Sequence, residues 1–298
     1  MSTDLFNVQV WEQAWKEDAR AHGNLMKQAG IDPTRSFDRK AESFNEEVFS
    51  EGGRHRAERI IGWLEGQGVD FDGLSVLDVG AASGGFSVPF ADRGAAVTAV
   101  EPNDRLAGLL EANKSRVSPG KTEIRLVREA FENIDLAAKG WEQAYDLVFV
   151  SMCPAVFDWD SVKRVLSCAS QYCYISFAAG ARQHSLLNEV LPLLTGEAVK
   201  VESSDMAYLL HLLYLNDYAY ESIVTKEMKS TELMADAAIE EVLEMLKHHG
   251  LAAGDSARQI VTDYVHAAYP EGTVAVQQGG RFGKVLIRLR DQHMYSRQ

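Results

Sequence analysis

The chain has 298 residues, of which 46% are hydrophobic and 24% are charged, values typical of a folded globular protein. Its formal net charge is −13 and its positive residues are dispersed, which disfavours nucleic acid as a partner because phosphate binding needs a basic surface. The sequence contains no apolar run of about eighteen residues, so no membrane-spanning helix is expected.

The first residues and the cysteines indicate a cytoplasmic protein. The first four residues lack the basic and apolar regions of an export signal. Three cysteines are too few for a disulfide framework and suit a reducing compartment. The pair Cys168 and Cys173 and the adjacent His248 and His249 do not have the spacing of a zinc site, so no metal is expected.

Residues 1–68 are predicted to form an N-terminal helical lid. Trp11 and Trp15 are four residues apart and therefore share one helical face, and we expect them to be packing residues rather than an aromatic cage. Two further helices are predicted over residues 36–49 and 54–67.

Residues 69–180 show strands alternating with helices, which is the pattern of a parallel sheet with crossover helices. The predicted strands cover residues 76–79, 95–100, 123–127, 145–150 and 172–177. We therefore predict an α/β fold, a Rossmann-like, seven-stranded, mostly parallel sheet with helices on both faces.

The simple alternation stops after residue 180. Residues 181–271 are predicted to be an inserted helical region with one sheet strand, and residues 272–298 a C-terminal hairpin that completes the sheet. The elements predicted here are a buried helix over 206–215, a strand over 220–226, and helices over 231–249, ended by Gly250, and over 256–268. Hairpin strands are predicted over 273–277 and 284–289, with the turn at Gly279-Gly280 and Gly283.

The chemistry of this chain is concentrated in the loop after the first predicted strand. Asp78 lies near the end of that strand, and a loop of small residues follows it with Gly80, Ala82 and Gly84. The second strand ends in Glu101, twenty-one positions after Gly80. A backbone free of side chains can approach a ligand closely, and a carboxylate at the next strand end can accept ribose hydroxyls. The pattern predicts a nucleoside-containing cofactor.

Two cofactor classes fit such a loop, and the details separate them. A dinucleotide fold places glycines where this chain has Gly80, Ala82 and Gly85, and the Ala82 Cβ crowds the path of the pyrophosphate. Asp78 would also repel phosphate, whereas it suits a ligand that carries an ammonium and a sulfonium.

The spacing of Asp78, Gly80 and Gly84 resembles the first motif of the class I S-adenosylmethionine (SAM) methyltransferases. The second and third motifs of that family resemble Glu101-Pro102-Asn103 and Glu129-Ala130, and the strand of residues 145–150, followed by Ser151, is similar to the family's fourth strand. The resemblance extends over residues 55–180 and departs from the family at Ala82, where glycine is usual.

The resemblance implies SAM as cofactor and a set of binding residues. Asp78 would hold the methionine ammonium and Glu101 the ribose diol, with Pro102 packed on the adenine. Glu129 would accept from the adenine amino group, and the Ala130 N–H would meet the ring. The remaining residues of the implied site are Gly80, Ala82, Gly84 and Ser151.

The methyl acceptor is expected to be a small molecule. Phe37, Ala41 and Phe44 are similar in spacing to a lid found in small-molecule methyltransferases, and the same spacing suits a helix that simply buries them. Polar groups on the apolar segment around residues 208–218 suggest an acceptor pocket, formed by Tyr208, His211, Tyr214, Asn216 and Tyr218. Of these, His211, Tyr214 and Tyr218 are the candidates for a general base.

Other functions remain open at this point. Cys153 in the segment after the fourth strand suggests the nucleophile of a cytosine-C5 enzyme, but a loop cysteine is usually a packing residue. The glycine loop also resembles that of ribosomal RNA 2′-O-methyltransferases, whose aspartate and lysine are missing here. A nicotinamide-dependent oxidoreductase, a non-catalytic SAM-binding regulator and a protein methyltransferase are alternatives. A homodimer through the inserted helices is a further expectation.

Overall fold

The computed structural model describes residues 4–180, 183–196, 204–248, 251 and 254–290. The helices are α1 (Val8–Glu17), α2 (His22–Gln28), α3 (Ala41–Phe49), α4 (Glu51–Gly66), α5 (Ser87–Asp92), α6 (Asp104–Asn113), α7 (Trp159–Cys168), α8 (Ser185–Thr195), α9 (Asp205–Leu215), α10 (Ala235–His248) and α11 (Asp255–Ala268). The strands are β1 (Ser75–Val79), β2 (Ala96–Val100), β3 (Ile124–Val127), β4 (Tyr145–Ser151), β5 (Ala169–Ala178), β6 (Gln183–His184), β7 (Ala219–Met234) and β8 (Thr273–Arg288). Short 3₁₀ turns cover Arg35–Phe37, Lys114–Arg116 and Phe131–Asn133.

The strands form one sheet in the order β3-β2-β1-β4-β5-β8-β6, and β7 pairs with β8. The pairs β1–β2, β2–β3, β1–β4 and β4–β5 are parallel, whereas β6 and β8 are antiparallel. The strand order reverses between β1 and β4, so right-handed crossovers place helices on both faces of the sheet. The predicted Rossmann-like α/β fold is confirmed.

Contacts divide the chain into two compact units. The first comprises Met1–Ile31, Phe177–His211 and Ile223–Gly283, and the second comprises Asp32–Ser176, Leu212–Ser222 and Lys284–Gln298. The units alternate along the chain, whereas the four predicted regions follow one another, and that regional division stays a prediction.

The second unit contains the core of the parallel sheet. The strand β1 is buried along Val76–Val79 because it lies between two parallel neighbours. The Phe149 and Tyr174 rings stack on neighbouring strands with centroids 4.5 Å apart, and Phe90 meets Phe149 edge-on at 5.0 Å. The first unit has its own apolar core, formed by α8, α10 and α11 with the start of β8.

Three predictions about the end of the chain were wrong in detail. The hairpin over residues 273–277 and 284–289 is a single strand, β8, and the glycines expected to turn it are inside that strand. The strand predicted over 220–226 continues to Met234, so α10 begins at Ala235 rather than at 231. The described part of the sheet has eight strands instead of seven, and Gly250, the expected end of the helix, is outside the described residues.

Two helix starts also differ from the predictions. The helix expected from residue 36 begins at Ala41, after a 3₁₀ turn, and the helix expected from residue 54 begins at Glu51. Ser50 is the N-cap of the latter, since its hydroxyl accepts from the Gly53 N–H at 3.1 Å.

Candidate functional site

The candidate site lies where the strand order reverses, at the carboxyl ends of β1 and β4. Asp78 is the penultimate residue of β1, and Ser151 is the last residue of β4. Crevices at this position bind ligands in open α/β sheets because the crossovers diverge there to opposite faces. Glu101 follows the end of β2, the other neighbour of β1.

The loop after β1 is held close to the sheet by its own backbone. The N–H groups of Gly80 and Ala81 donate to the Val100 carbonyl at 2.9 and 3.0 Å. Gly80 and Gly84 have φ of +72° and +93°, and even Ala82 has φ of +48°. A Cβ built on Gly80 would lie 2.3 Å from the Cys153 Sγ, so only glycine fits there.

The Asp78 carboxylate is almost completely shielded from solvent. Its side chain is 3% exposed, and Oδ2 accepts from the Ser87 hydroxyl at 2.6 Å. Burial raises the pKa of Asp78 to about 7, the Ser87 hydrogen bond lowers it in part, and the nearby Glu101 carboxylate raises it further. A site of this kind stabilises a cation that approaches the carboxylate, because the cation offsets the cost of ionisation.

Glu101 connects the glycine loop to the end of β2. Its Oε2 accepts from the Ala82 N–H at 2.9 Å and its Oε1 accepts from the Asn103 N–H at 2.8 Å. Burial raises the pKa of Glu101, and these two hydrogen bonds oppose the rise. Each carboxylate oxygen has a second lone pair, so the group can still accept hydroxyl donors.

The other predicted cofactor residues lie on the following loops. Glu129 is exposed after β3, and its Oε1 accepts from Lys139 Nζ at 2.6 Å. Ala130 precedes a 3₁₀ turn, and Pro102 lies half-buried between Glu101 and Asn103. The Ser151 hydroxyl is 3.2 Å from the Ser176 hydroxyl on the neighbouring strand.

Cys153 has the properties of a packing residue. Its side chain is buried against Gly80, and burial raises the pKa of its thiol to about 12. A nucleophilic cysteine needs a lowered pKa, so the thiol chemistry of a cytosine-C5 enzyme is disfavoured.

The structure adds polar residues that the motif interpretation overlooked. Asn103 and Asn113 are buried at the two ends of α6. Asn103 hydrogen-bonds to the segment before α3, and Asn113 hydrogen-bonds to α3 itself. Ser87, the first residue of α5, donates to Asp78. The sequence signal for Asn103 was its type, since asparagine is a preferred N-cap and its Oδ1 accepts from the Leu106 N–H at 3.0 Å.

The predicted lid residues pack on one another in the second unit. The Phe37 and Phe44 rings meet edge-on with their centroids 5.2 Å apart. Ala41, which lies between them in the sequence, is fully buried. A Cβ built on Gly85 of the glycine loop would lie 2.3 Å from Val48 Cγ1, so α3 is in close contact with that loop.

The candidate general bases are divided between the units. In the first unit, His211 Nε2 is 2.8 Å from the Leu5 carbonyl oxygen, and its ring meets Trp11 edge-on. In the second unit, Tyr214 is 61% exposed, and burial raises the pKa of Tyr218, whose ring is 6.4 Å from Trp159.

Trp15 and Tyr208 have structural contacts in the first unit. Trp15 is fully buried, and its indole N–H donates to Asp205 Oδ1 at 2.9 Å. The Tyr208 hydroxyl donates to Asp18 Oδ2 at 3.1 Å. The Trp15 contact agrees with the expectation that the tryptophans are packing residues.

Neither a membrane-spanning helix nor a metal-binding cluster is found among the described residues. None of their helices combines the length and the apolar character needed to cross a bilayer. In the same part of the chain, no cluster of three or more His, Cys, Asp or Glu side chains could hold a metal ion.

Comparison with known proteins identifies neighbours by structure alone. No family model and no curated protein sequence matches the chain. Magnesium protoporphyrin IX methyltransferase from Synechocystis PCC 6803, solved with SAM, is 16% identical with a TM-score of 0.47, over 66% of this chain and 88% of that one.

Two other solved structures cover more of the chain. The plantazolicin methyltransferase BpumL in complex with S-adenosylhomocysteine (SAH) is 13% identical, covering 94% of this chain and 99% of that one, with a TM-score of 0.47. Coclaurine N-methyltransferase bound to N-methylheliamine and SAH is 13% identical, covering 94% and 86%, with a TM-score of 0.48. At these scores the function has to be inferred from the chain's own residues.

Proposed function

We propose that the protein is a class I SAM-dependent methyltransferase that acts on a small-molecule acceptor. The observation that carries the proposal is the meeting of two buried carboxylates, Asp78 and Glu101, at one glycine loop where the strand order reverses. Asp78 suits the ammonium of the methionine moiety, and Glu101 suits the ribose diol.

The same two carboxylates make a dinucleotide a poor fit. A pyrophosphate needs free backbone N–H groups and a positive environment at the loop. Here the Ala82 N–H already donates to Glu101, and a second negative group, Asp78, lies in the adjacent strand. The Ala82 Cβ also occupies the place of the usual middle glycine.

Each residue has a separate task in the proposed site. Asp78 orients the amino-acid end, Glu101 the ribose, and Glu129, kept in place by Lys139, the adenine edge. When bound, SAM supplies an electrophilic methyl group for in-line displacement. The protein's contribution is then to align the acceptor, exclude water and, where needed, remove a proton.

For the methyl acceptor, the proposal names a class, small molecules. A small molecule is supported by the lid residues Phe37 and Phe44 and by the net charge of −13, which disfavours a nucleic acid. His211, Tyr214 and Tyr218 stay the candidates for a general base. A cytoplasmic location and a homodimer stay predictions from the sequence.

Replacement of Glu101 tests the cofactor proposal. We expect calorimetric titration of the purified protein to show micromolar binding of SAM and SAH and none of NAD. Glu101→Ala removes two acceptors for ribose hydroxyls, so we expect its affinity for both ligands to fall by at least about 100-fold, since hydrogen bonds to charged groups contribute about 1.5–3 kcal/mol each.

The matched control for that variant is Glu111→Ala on α6. Glu111 forms an exposed ion pair with Lys114, so its loss changes the net charge equally and should leave SAM affinity unchanged. Binding of NAD without binding of SAM would overturn the proposal. A methyltransferase also releases SAH from SAM when its acceptor is present, which a non-catalytic binder does not.

The affinity for SAM is expected to depend on pH through Asp78. Its pKa is raised to about 7 by burial, so below pH 7 the carboxylate is protonated and has to lose a proton before it can hold an ammonium. Affinity should therefore fall by up to about tenfold per pH unit from pH 7 to pH 5.

Calorimetry in buffers of different ionisation enthalpy checks this expectation. At pH 6, close to one proton should be released for each SAM bound, and at pH 8, where Asp78 is already ionised, close to none. Affinity that stays constant between pH 5 and pH 7 would show that Asp78 is ionised before the ligand arrives.

A further inference from the structure

The helix α6 carries a buried asparagine at each end. Asn103, its N-cap, is 3% exposed, and Asn113, its last residue, is 5% exposed. Buried amides are found where all their hydrogen-bonding groups have partners, so the partners indicate what each residue connects.

Asn103 connects the segment before α3 to the carboxylate Glu101. Its Nδ2 donates to the Thr34 carbonyl and to Asp38 Oδ1, both at 2.7 Å. Its Oδ1 accepts from the Leu106 N–H at 3.0 Å, and its backbone N–H donates to Glu101 Oε1 at 2.8 Å. One residue thus contacts the segment, the helix and the proposed ribose-binding group.

Asn113 makes the corresponding connection at the other end of α6. Its Nδ2 donates to Asn45 Oδ1 at 2.7 Å and to the Ser83 carbonyl at 2.9 Å. Asn45 belongs to α3, and Ser83 belongs to the glycine loop. We call residues 34–49, which both asparagines hold, the lid segment.

We propose that Asn103 and Asn113 are positioning residues that couple docking of the lid segment to occupation of the cofactor site, an inference that rests on the proposed function. Each asparagine is shared between the lid segment and one cofactor-binding element, Glu101 or the glycine loop. Docking of the segment therefore fixes the two elements in the geometry that binds the cofactor. By thermodynamic reciprocity, the bound cofactor stabilises the docked segment to the same extent.

Asp38 and Asn103 offer variants that separate this role from helix capping. Asn103→Ser keeps a side-chain oxygen that can cap α6 but cannot reach Thr34 and Asp38. Asp38→Ala removes one acceptor of the Asn103 amide and leaves α6 untouched. Asp38→Asn is the matched control, because its amide oxygen can still accept from Asn103 Nδ2.

The first readout is calorimetric titration with SAH. We expect Asn103→Ser and Asp38→Ala each to weaken SAH binding by about three- to tenfold, as expected for a lost hydrogen bond, and Asp38→Asn to bind like the wild type. The double variant Asn103→Ser/Asp38→Ala should bind SAH no more weakly than the single variant with the lower SAH affinity, because both changes break the same contact.

The second readout is trypsin cleavage at Arg35, Arg39 and Lys40, which are exposed residues of the lid segment. SAH should slow cleavage at these sites in the wild type and much less in Asn103→Ser. Cleavage at the exposed Lys121, before β3, serves as the internal reference and should not respond.

Wild-type SAH affinity in both single variants, or fully additive losses in the double variant, would overturn the coupling while leaving the cofactor assignment intact. SAH protection of the lid segment that is equal in Asn103→Ser and the wild type would overturn it as well. Failure of the wild type to bind any adenosyl ligand would overturn the proposed function, and with it this inference.

Discussion

Replacing Asp78 with asparagine is expected to abolish measurable SAM binding and at the same time to stabilise the ligand-free protein. Binding is lost because asparagine carries no charge to hold the ligand's ammonium. Stability rises because the folded chain no longer has to keep a carboxylate ionised at 3% exposure. The two effects have opposite signs, which distinguishes a binding residue from one that maintains the fold.

The stability effect depends on pH in a defined direction. Asp78 has a pKa of about 7 in the folded protein and an ordinary value of 3.8, so between these values the folded state binds a proton that the unfolded state has lost. The free energy of unfolding therefore decreases as the pH rises through this window. The full difference is on the order of 4 kcal/mol.

Thermal unfolding at pH 8 and pH 4 checks the prediction for Asp78→Asn. The variant should have a higher Tm than the wild type at pH 8, and the difference should be nearly absent at pH 4, where Asp78 is protonated in the folded protein. A lower Tm at pH 8 would show that hydrogen bonds to the Asp78 carboxylate, such as that from Ser87, outweigh the cost of its burial.

Asp146 at the start of β4 provides the matched control. Its carboxylate accepts from the Ser75 N–H at 3.0 Å and the Ser75 hydroxyl at 2.7 Å, and from Gln171 Nε2 at 2.6 Å. Burial opposes ionisation, but these hydrogen bonds outweigh it and lower the pKa of Asp146. The same change, Asp146→Asn, should therefore lower the Tm at pH 8.

The sequence was sufficient to predict the parallel part of the sheet and the loop on which the candidate site is proposed. Strands buried on both sides are continuous apolar runs, and β1 and β4 were located within one residue because nothing in them alternates. The loop after Asp78 was recognisable because small residues and a carboxylate occur together where a strand ends.

The end of the chain was predicted less well, for a physical reason. Glycines in β8 suggested a turn, but Gly279 and Gly283 are required by close neighbours. A Cβ built on Gly279 would lie 2.0 Å from the Glu227 carbonyl oxygen of β7, and one on Gly283 would lie 2.3 Å from Met206 Cε. A glycine needed for a close approach and one needed for a turn cannot be distinguished from a single sequence.

The contacts of Asn103 and Asn113 show the same limit at the site. Each asparagine contacts a residue far away in the sequence. Asp38 lies 65 positions before Asn103, and Asn45 lies 68 positions before Asn113. No local pattern specifies such pairs, because they depend on where α3 packs. Local chemistry therefore indicated which residues are candidates for the cofactor site, while tertiary packing determined which residues contact them.

Gly80→Ala is expected to reduce the free energy of unfolding by about 2–4 kcal/mol and to weaken SAM binding strongly. Part of the cost is conformational, since φ of +72° is unfavourable for alanine by roughly 1–2 kcal/mol. The rest is steric, because the new Cβ would lie 2.3 Å from Cys153 Sγ and 3.0 Å from its Cβ. Relief of that contact has to displace the loop that contains Ala82, the partner of Glu101.

Gly73→Ala separates the two contributions to that cost. Gly73 has φ of +73°, nearly that of Gly80, but a Cβ built on it has no atom within 4 Å. Urea denaturation should therefore give Gly73→Ala only the conformational part, with SAM affinity unchanged. The double variant Gly80→Ala/Cys153→Ala removes the sulfur and should recover part of the difference, in both stability and affinity. Equal destabilisation by Gly80→Ala and Gly73→Ala would mean that the loop can move away from Cys153 at no cost, and that its close packing does not shape the cofactor site.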